Sequence, residues 1–372
     1  MEVIIVKQRF PKWDNLKCVL IFLVVLGHCI ETFIDDSYMF KRMWLMIYTI
    51  HMPLFIFVSG LFAKSTLLSK EKVKSKVFMY LKYYFIYKVL LFAVKLVITG
   101  EGSFSLLSEV GVPWYMFAMA AYILITYIAR NIKPAYLFTL SIILACVIGY
   151  DREINDFLML ARIINFYPFF LMGYYAKQDM KILESSVMKK ICSLVVLAAF
   201  VGIVWVNITK AYEFRPLLTG RNTYYAFEIP GYGILYRLAH YVLASIIGLC
   251  IIYIVPERVN ILTFIGKKSL YIYVIHGVLL KVLRSFQWEQ RLMDNFAPTI
   301  WKAMVLATSV VIVGLCCTKV AEKAFAFIIN RKYVKDNIDN YELDYSVFSM
   351  PPRDIYKEYP YEKRDVLKES KQ

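Results

Sequence analysis

The chain has 372 residues, 59% of them hydrophobic and 16% aromatic, with a mean hydropathy of +0.54 and only 19% charged. An ordinary soluble domain is about half apolar, so this composition excludes one and points to an integral membrane protein with the lipid bilayer as its first partner. The formal charge of +16 would suit a nucleic-acid binder, but the cations cluster in short segments between apolar runs, as the positive-inside rule predicts, and nucleic acid is not expected as a partner.

A membrane-crossing helix needs about 20 predominantly apolar residues. Runs of that kind lie at roughly 16–34, 43–63, 78–98, 112–130, 135–150, 157–176, 190–207, 231–254, 262–283 and 300–330. The fifth is short, and the last is long enough to leave the membrane and continue as a helix. The predicted fold is therefore an all-α integral membrane protein with about ten transmembrane helices. Lys64, Lys70, Lys72, Lys74 and Lys76 fill the second connection, Lys177, Lys181, Lys189 and Lys190 the sixth, and Arg258, Lys267 and Lys268 the eighth. The third carries only Glu101 and Glu109, so the even connections and both termini are predicted to be cytoplasmic. The seventh, with Lys210, Arg215 and Arg221, breaks this pattern mildly. Residues 1–330 read as one transmembrane domain. Residues 331–372, polar and punctuated by Pro351, Pro352 and Pro360, read as a cytoplasmic, mostly disordered tail.

The basic start (Lys7, Arg9, Lys12, Lys17) resembles a signal peptide, but no small-residue cleavage site follows and His28 and Glu31 interrupt the apolar run, so it reads as a retained first span. The cysteines (18, 29, 146, 192, 250, 316 and 317) all sit in apolar runs without metal-type spacing and read as small buried hydrophobes.

The first span carries a cation, Lys17, at its entrance and an imidazole, His28, deep inside. Eleven helical residues turn by about 1100°, close to three full turns, so the two share one face and lie ~16 Å apart along the axis. His51, His240 and His276 each fall ~12–20 Å from the nearest span end, so every histidine is expected near mid-membrane. Intramembrane ionisable groups are functional candidates by default, although each histidine alone also fits a plain hydrogen bond to a backbone carbonyl. The lack of supporting carboxylates and of paired histidines argues against a metal. Arg162, and Arg237 one turn before His240, point either to a polar cavity or to snorkelling at the interface. Glu31, one turn beyond His28, is placed to orient the imidazole or hold its proton, or is simply interfacial. Phe57, Ser59 and Gly60 fit a close helix-packing patch.

A buried histidine at the end of a path guarded by a cation suits group transfer. The cation would hold an anionic donor, and the imidazole would act as general base on a hydroxyl attacking the donor carbonyl. Cys29 points elsewhere on the helix, so direct attack is favoured over a covalent enzyme intermediate.

These residues also carry a family resemblance. Asp14-x-x-Lys17, ten residues and then His28 resembles the Arg/Lys-x10-His signature of the membrane acyltransferase-3 family. The surrounding Trp13-Asp14-Asn15-Leu16-Lys17 and Val24-Val25-Leu26-Gly27-His28 are most similar to its fucose 4-O-acetylase-like branch. His51-Met52-Pro53-Leu54-Phe55 through Ser59-Gly60, Pro113-Trp114-Tyr115, Arg162 with Phe169 to Tyr174, and Gly266 to Tyr273 match in the family's order. The resemblance implies acetyl transfer from acetyl-CoA to a hydroxyl of a surface carbohydrate or lipid-linked glycan precursor, in a bacterial plasma (inner) membrane. It implies His28 as the catalytic residue, Lys17 at the CoA donor supported by Asp14, and His51, Ser59 and Arg162 lining the cavity. Lys17 stands where many members have Arg; it keeps the charge and loses the bidentate fork. The rival readings are a transporter with a mid-membrane His/Arg site, which would be expected to show inverted repeats not seen here, and an acyltransferase acting on lipid or protein.

Overall fold

The computed structural model describes residues 10–100, 104–154, 156–177 and 180–328. The predicted tail and the boundary at residue 330 lie outside the described residues, as does Glu101. Among the described residues the regular structure is helical throughout, apart from one antiparallel bridge between Ser108 and Phe157.

The helices are α1 (Pro11–Ile30), α2 (Tyr38–Ala63), α3 (Lys70–Thr99), α4 (Trp114–Ile128), α5 (Pro134–Val147), α6 (Leu160–Tyr175), α7 (Val187–Val206), α8 (Ile208–Tyr212), α9 (Arg215–Leu218), α10 (Gly233–Ile254), α11 (Ile261–Lys267), α12 (Ser269–Ser285), α13 (Trp288–Asn295), α14 (Pro298–Cys316) and α15 (Lys319–Ile328). Their starts follow local chemistry. Ser37, Ser69 and Ser186 cap α2, α3 and α7 by accepting from a backbone N–H of the first turn. Pro11, Pro134 and Pro298 open α1, α5 and α14, where the missing N–H is not needed.

Every predicted apolar stretch holds at least one of these helices, and the ninth, 262–283, is broken at Lys268 into α11 and α12. By length and composition, five of the helical segments can cross a bilayer (those of α1, α2, α7, α10 and α14), or six if α12 and α13, bent by 59° at their junction, count as one. The expected long final helix is broken near Cys317, where α14 ends and α15 begins. Large apolar side chains of α7 such as Val187, Leu194, Val195 and Ile203 are exposed, as are Leu140, Ile143 and Val147 of α5 and Val310 and Val311 of α14. Such an apolar exterior belongs against hydrocarbon, and the chain is a multi-pass membrane protein.

The interior is built on α1 and α2. In α2's most apolar window 67% of residues are buried, against 11% in α7. α1 packs on α2, α11, α12 and α14, and α2 also packs on α6 and α10. Helices α2 and α6 cross backbone to backbone, because a Cβ on Gly60 would stand 2.1 Å from the Phe170 carbonyl oxygen and one on Gly173 would stand 1.9 Å from that of Phe57. The close-packing patch read at Phe57, Ser59 and Gly60 is this crossing.

At 15 and 16 residues, α4 and α6 are ~22–24 Å long, short of a ~30 Å hydrocarbon core. Each is preceded by non-helical chain, and the two approaches pair with one another: Leu158 N–H donates to the Leu107 carbonyl at 2.6 Å beside the Ser108–Phe157 bridge. Every second carbonyl of the first approach is taken by a side chain. Tyr84 donates to Leu106 (2.7 Å), Lys88 to Ser108 (2.6 Å), Arg162 to Val110 (2.9 Å) and Tyr273 to Val112. Lys88 also pairs with Glu109 at 2.9 Å. Irregular backbone inside a bundle must find donors for its carbonyls, and this strap finds them in two buried cations and two tyrosines.

Candidate active site

Helix α1 runs unbroken from Pro11 to Ile30, so Lys17 and His28 share a face as the spacing requires, ~16 Å apart along the axis. Its first turn is anchored on several sides. Lys12 donates to the Leu183 carbonyl (2.7 Å) and pairs with Glu257 (2.9 Å). Asn15, fully buried, donates to the Pro256 and Arg258 carbonyls and accepts from Thr263. A Cβ on Gly266 would lie 1.8 Å from the Asp14 carbonyl oxygen, so α11 is pressed onto this turn. Lys17 Nζ stands 3.4 Å from the Asp14 carboxylate and 4.4 Å over the Phe62 ring, with about a quarter of its side chain (23%) exposed.

At the other end of α1, His28 Nδ1 lies 3.2 Å from Oε2 of Glu31 and 3.5 Å from the Tyr48 hydroxyl. A carboxylate only accepts, so Nδ1–H is the donor of this pair, and in the neutral ring Nε2 is the acceptor. The ring is stacked on His276 with centroids 5.7 Å apart. Tyr48 lies flat on Trp44 (3.9 Å) and edge-on to His51 (4.7 Å).

His51 and His276 share a different arrangement. Each places Nδ1 2.8 Å from the carbonyl four residues earlier, Ile47 and Ile272, so each donates that proton to its own helix. The plain reading of a buried histidine holds for both at Nδ1, while Nε2 of His276 is buried without a hydrogen-bond partner. His28 is thus the one of the three whose orienting partner is a carboxylate. A carboxylate compensates the charge the ring gains on taking a proton, as a neutral carbonyl does less well.

The remaining predicted residues divide. Ser59 donates to the Phe55 carbonyl (2.9 Å), so the Tyr115 hydroxyl, 2.6 Å away, donates to it. Tyr115 in turn packs against Tyr273, which reaches His276, so Ser59 joins the cluster through two tyrosines. Arg162 serves the strap: besides Val110 it meets Asp156 at 3.7 Å and lies over Trp114. Asp156 is gripped by Arg221 as well. Arg237 and His240 form a separate group on α10. Arg237 is wholly buried, which corrects the snorkelling reading; it donates to the Leu217 carbonyl (3.2 Å) and faces the Tyr224 ring. His240 Nε2 lies 3.3 Å from the Thr49 carbonyl. His28 and His276 therefore meet, His51 joins them through Tyr48, and His240 stands apart. The cysteine reading needs one correction, since Cys192 is exposed on α7. Among the described residues no group of three His, Cys, Asp or Glu is close enough to hold a metal ion.

Tyr48, Tyr273 and Arg284 escaped the sequence reading. Tyr48 lies three residues before His51 and Tyr273 three before His276, the spacing of one helical face, and that signal was available. Arg284 donates to the His28 carbonyl at 2.7 Å from two turns beyond His276.

With this geometry in hand, the comparisons with known proteins are direct. No solved structure matches the chain. Nodulation protein NolL of Sinorhizobium fredii (strain NBRC 101917 / NGR234) is 28% identical over 190 residues, 47% of this chain and 50% of that protein. The chain thus spans about half the length of the curated relative it matches. Residues 10–319, which take in α1 through the start of α15 and every candidate residue above, match the acyltransferase domain family, and the chain belongs to this acyltransferase-3 family of membrane acyltransferases.

Proposed function

We propose that the protein is an O-acetyltransferase of a bacterial plasma membrane, moving an acetyl group from acetyl-CoA to a hydroxyl of a cell-surface carbohydrate or its lipid-linked precursor. The observation that carries this reading is His28, on the same unbroken helix as Lys17, with Glu31 just past the end of that helix 3.2 Å from its Nδ1. His28 Nε2 takes the proton of the attacking hydroxyl, the oxygen bonds to the acetyl carbonyl carbon, and the carbon–sulfur bond breaks. The proton then passes to the departing thiolate, so His28 ends neutral. Glu31 holds the ring in the tautomer that leaves Nε2 bare.

The residues at the other end of α1 suit the donor. Lys17, braced by Asp14, places a cation at the mouth, and Lys267 follows the Gly266 that is pressed on Asp14. The ~16 Å from Lys17 to His28 is comparable to a pantetheine arm, so a donor held at the cation presents its thioester to the imidazole. Bound acetyl-CoA would supply the activated acetyl group. The similarity of the α1 sequence to the fucose 4-O-acetylase-like branch supports a sugar hydroxyl as the acceptor. Family membership weighs against transport.

Mass spectrometry of surface glycans from wild-type and deletion strains tests the acceptor. Loss of acetyl esters from the carbohydrate fraction is expected. Loss confined to lipid or protein would replace the carbohydrate acceptor.

A further inference from the structure

The catalytic pair is held by a second pair that the proposed chemistry does not use. Arg284 sits at the end of α12, just before the chain bends by 59° through Gln287, whose φ of +52° is left-handed, into α13. One guanidinium nitrogen, NH2, donates to the His28 carbonyl at 2.7 Å and stands 3.9 Å from Oε2 of Glu31. That oxygen is the one that meets His28 Nδ1 at 3.2 Å. The Nε side of the same arginine faces Glu289, the second residue of α13, at 3.6 Å. The first residue of α13, Trp288, packs edge-on against Phe33, two residues beyond Glu31, with centroids 5.5 Å apart, and Phe33 is stacked on Trp301 of α14.

Resting on the reading of His28 as the base, we propose that Arg284 and Glu289 are positioning residues that set how the Glu31 carboxylate is shared. Arg284 anchors the last turn of α1 through the His28 carbonyl. Its guanidinium is also the natural competitor for Glu31, since a carboxylate prefers a forked cation to a single imidazole N–H. Glu289 offers that cation a second carboxylate. With Arg284 drawn toward Glu289, Glu31 stays nearer to His28 than to the arginine, 3.2 Å against 3.9 Å. The bend between α12 and α13 brings Glu289 there, and the Trp288–Phe33 contact keeps it in register with the turn that carries Glu31.

The account predicts a dependence between variants. If Glu289→Gln frees Arg284 to take Glu31 from the imidazole, turnover falls. If Glu289 acts only through Arg284, it has nothing to act on once Arg284 is gone. The test uses the purified full chain in lipid nanodiscs with radiolabelled acetyl-CoA and water as the attacking hydroxyl, and reads release of CoA and labelled acetate, with kcat and KM measured separately. Arg284→Met should lower kcat by about 10-fold, the usual scale for losing a partner that orients a functional imidazole, with KM for acetyl-CoA within about twofold. Glu289→Gln should lower kcat several-fold with KM unchanged, and Glu289→Asp, which keeps the charge, should restore most of it. The double variant should match Arg284→Met alone.

Normal kcat in Glu289→Gln, equal loss in Glu289→Asp and Glu289→Gln, or a double variant that falls by the product of the two single losses would overturn the proposal. Were Arg284→Met not to fold, the Gln and Asp variants at position 289 still decide. His28→Ala in the same assay separates the two levels. If it turns over like wild type, the reading of His28 falls and this inference with it. If it is inactive while Glu289→Gln is normal, the inference about Arg284 and Glu289 alone falls.

Discussion

Where the Glu31 end of α1 meets α12, and in the first half of α10, a histidine stands beside an arginine, and the two groups behave differently. At His28 both the ring and the arginine reach carboxylates, Glu31 and Glu289, and the ring is 22% exposed. At His240 and Arg237 both side chains are buried, and the partners are the backbone carbonyls of Thr49 and Leu217. A carbonyl orients a donor and holds two elements together; it does not compensate a moving proton. A carboxylate one turn from a partly open imidazole does. The first group thus gives its ring a carboxylate partner, as the proposed proton transfer requires, and the second joins α10 to α2 and to the α9 region.

Removing the carboxylate should break this comparison most sharply. Glu31→Gln is expected to lower kcat for CoA release by about 10–100-fold, the scale of losing the group that orients a functional histidine. His240→Gln should leave kcat within about twofold and show its effect in thermal unfolding, because a lost buried hydrogen bond weakens the fold by about 1 kcal/mol. Equal losses of turnover in the two variants would erase the distinction. A smaller effect is expected at Lys17. Lys17→Ala should raise KM for acetyl-CoA about tenfold with kcat little changed, and Lys17→Arg should be tolerated, as for a cation that binds the donor and takes no part in the chemistry. An unaltered KM in Lys17→Ala would remove it from the donor site.

The smallest effect concerns the anchor of α1. Burial works to raise the Glu257 carboxyl above the ordinary carboxylate range, and the hydrogen bond and charge of Lys12, with Ser185 and Lys190, outweigh it and hold it below that range. Stability from this pair is then present above the unfolded carboxylate value of about 4.3 and is lost as pH falls through the lower folded value. The Glu257 side chain is 42% exposed, so solvent screening limits the contribution to within about 1 kcal/mol. Glu257→Gln should lower the thermal midpoint slightly at neutral pH and remove this part of the acid sensitivity. A variant as acid-sensitive as wild type would assign that sensitivity elsewhere.

Much of this was legible in the sequence because it rests on periodicity. Apolar runs locate the helices, and eleven residues between Lys17 and His28 place both on one face of α1. The patch at Phe57, Ser59 and Gly60 marks a close crossing, whose other half at Gly173 the structure supplies. What stayed hidden depends on partners supplied by other segments. Arg162 looked like a cavity residue because its main partner is the Val110 carbonyl, and backbone atoms carry no sequence signal. Glu31 was legible beside His28 because it lies one turn away, whereas the carbonyl partners of His51 and His276, Ile47 and Ile272, are backbone atoms that any sequence would supply. Arg284 was missed because its neighbours come from the far end of α1 and from a helix beyond a bend. The short helices α4 and α6 were overestimated because apolar strap residues such as Val112 and Leu158 read as helix by hydropathy, while their backbone is bound by Tyr273 and by the Leu107 carbonyl.

The central claim is that His28 is the base in acyl transfer, and one measurement reaches it directly. In purified full chain supplied with acetyl-CoA, water serving as the attacking hydroxyl, His28→Ala should lose CoA release by about 100-fold or more while keeping the wild-type thermal midpoint, the scale expected for removal of a general base. Turnover within a few-fold of wild type in a folded His28→Ala protein would contradict it.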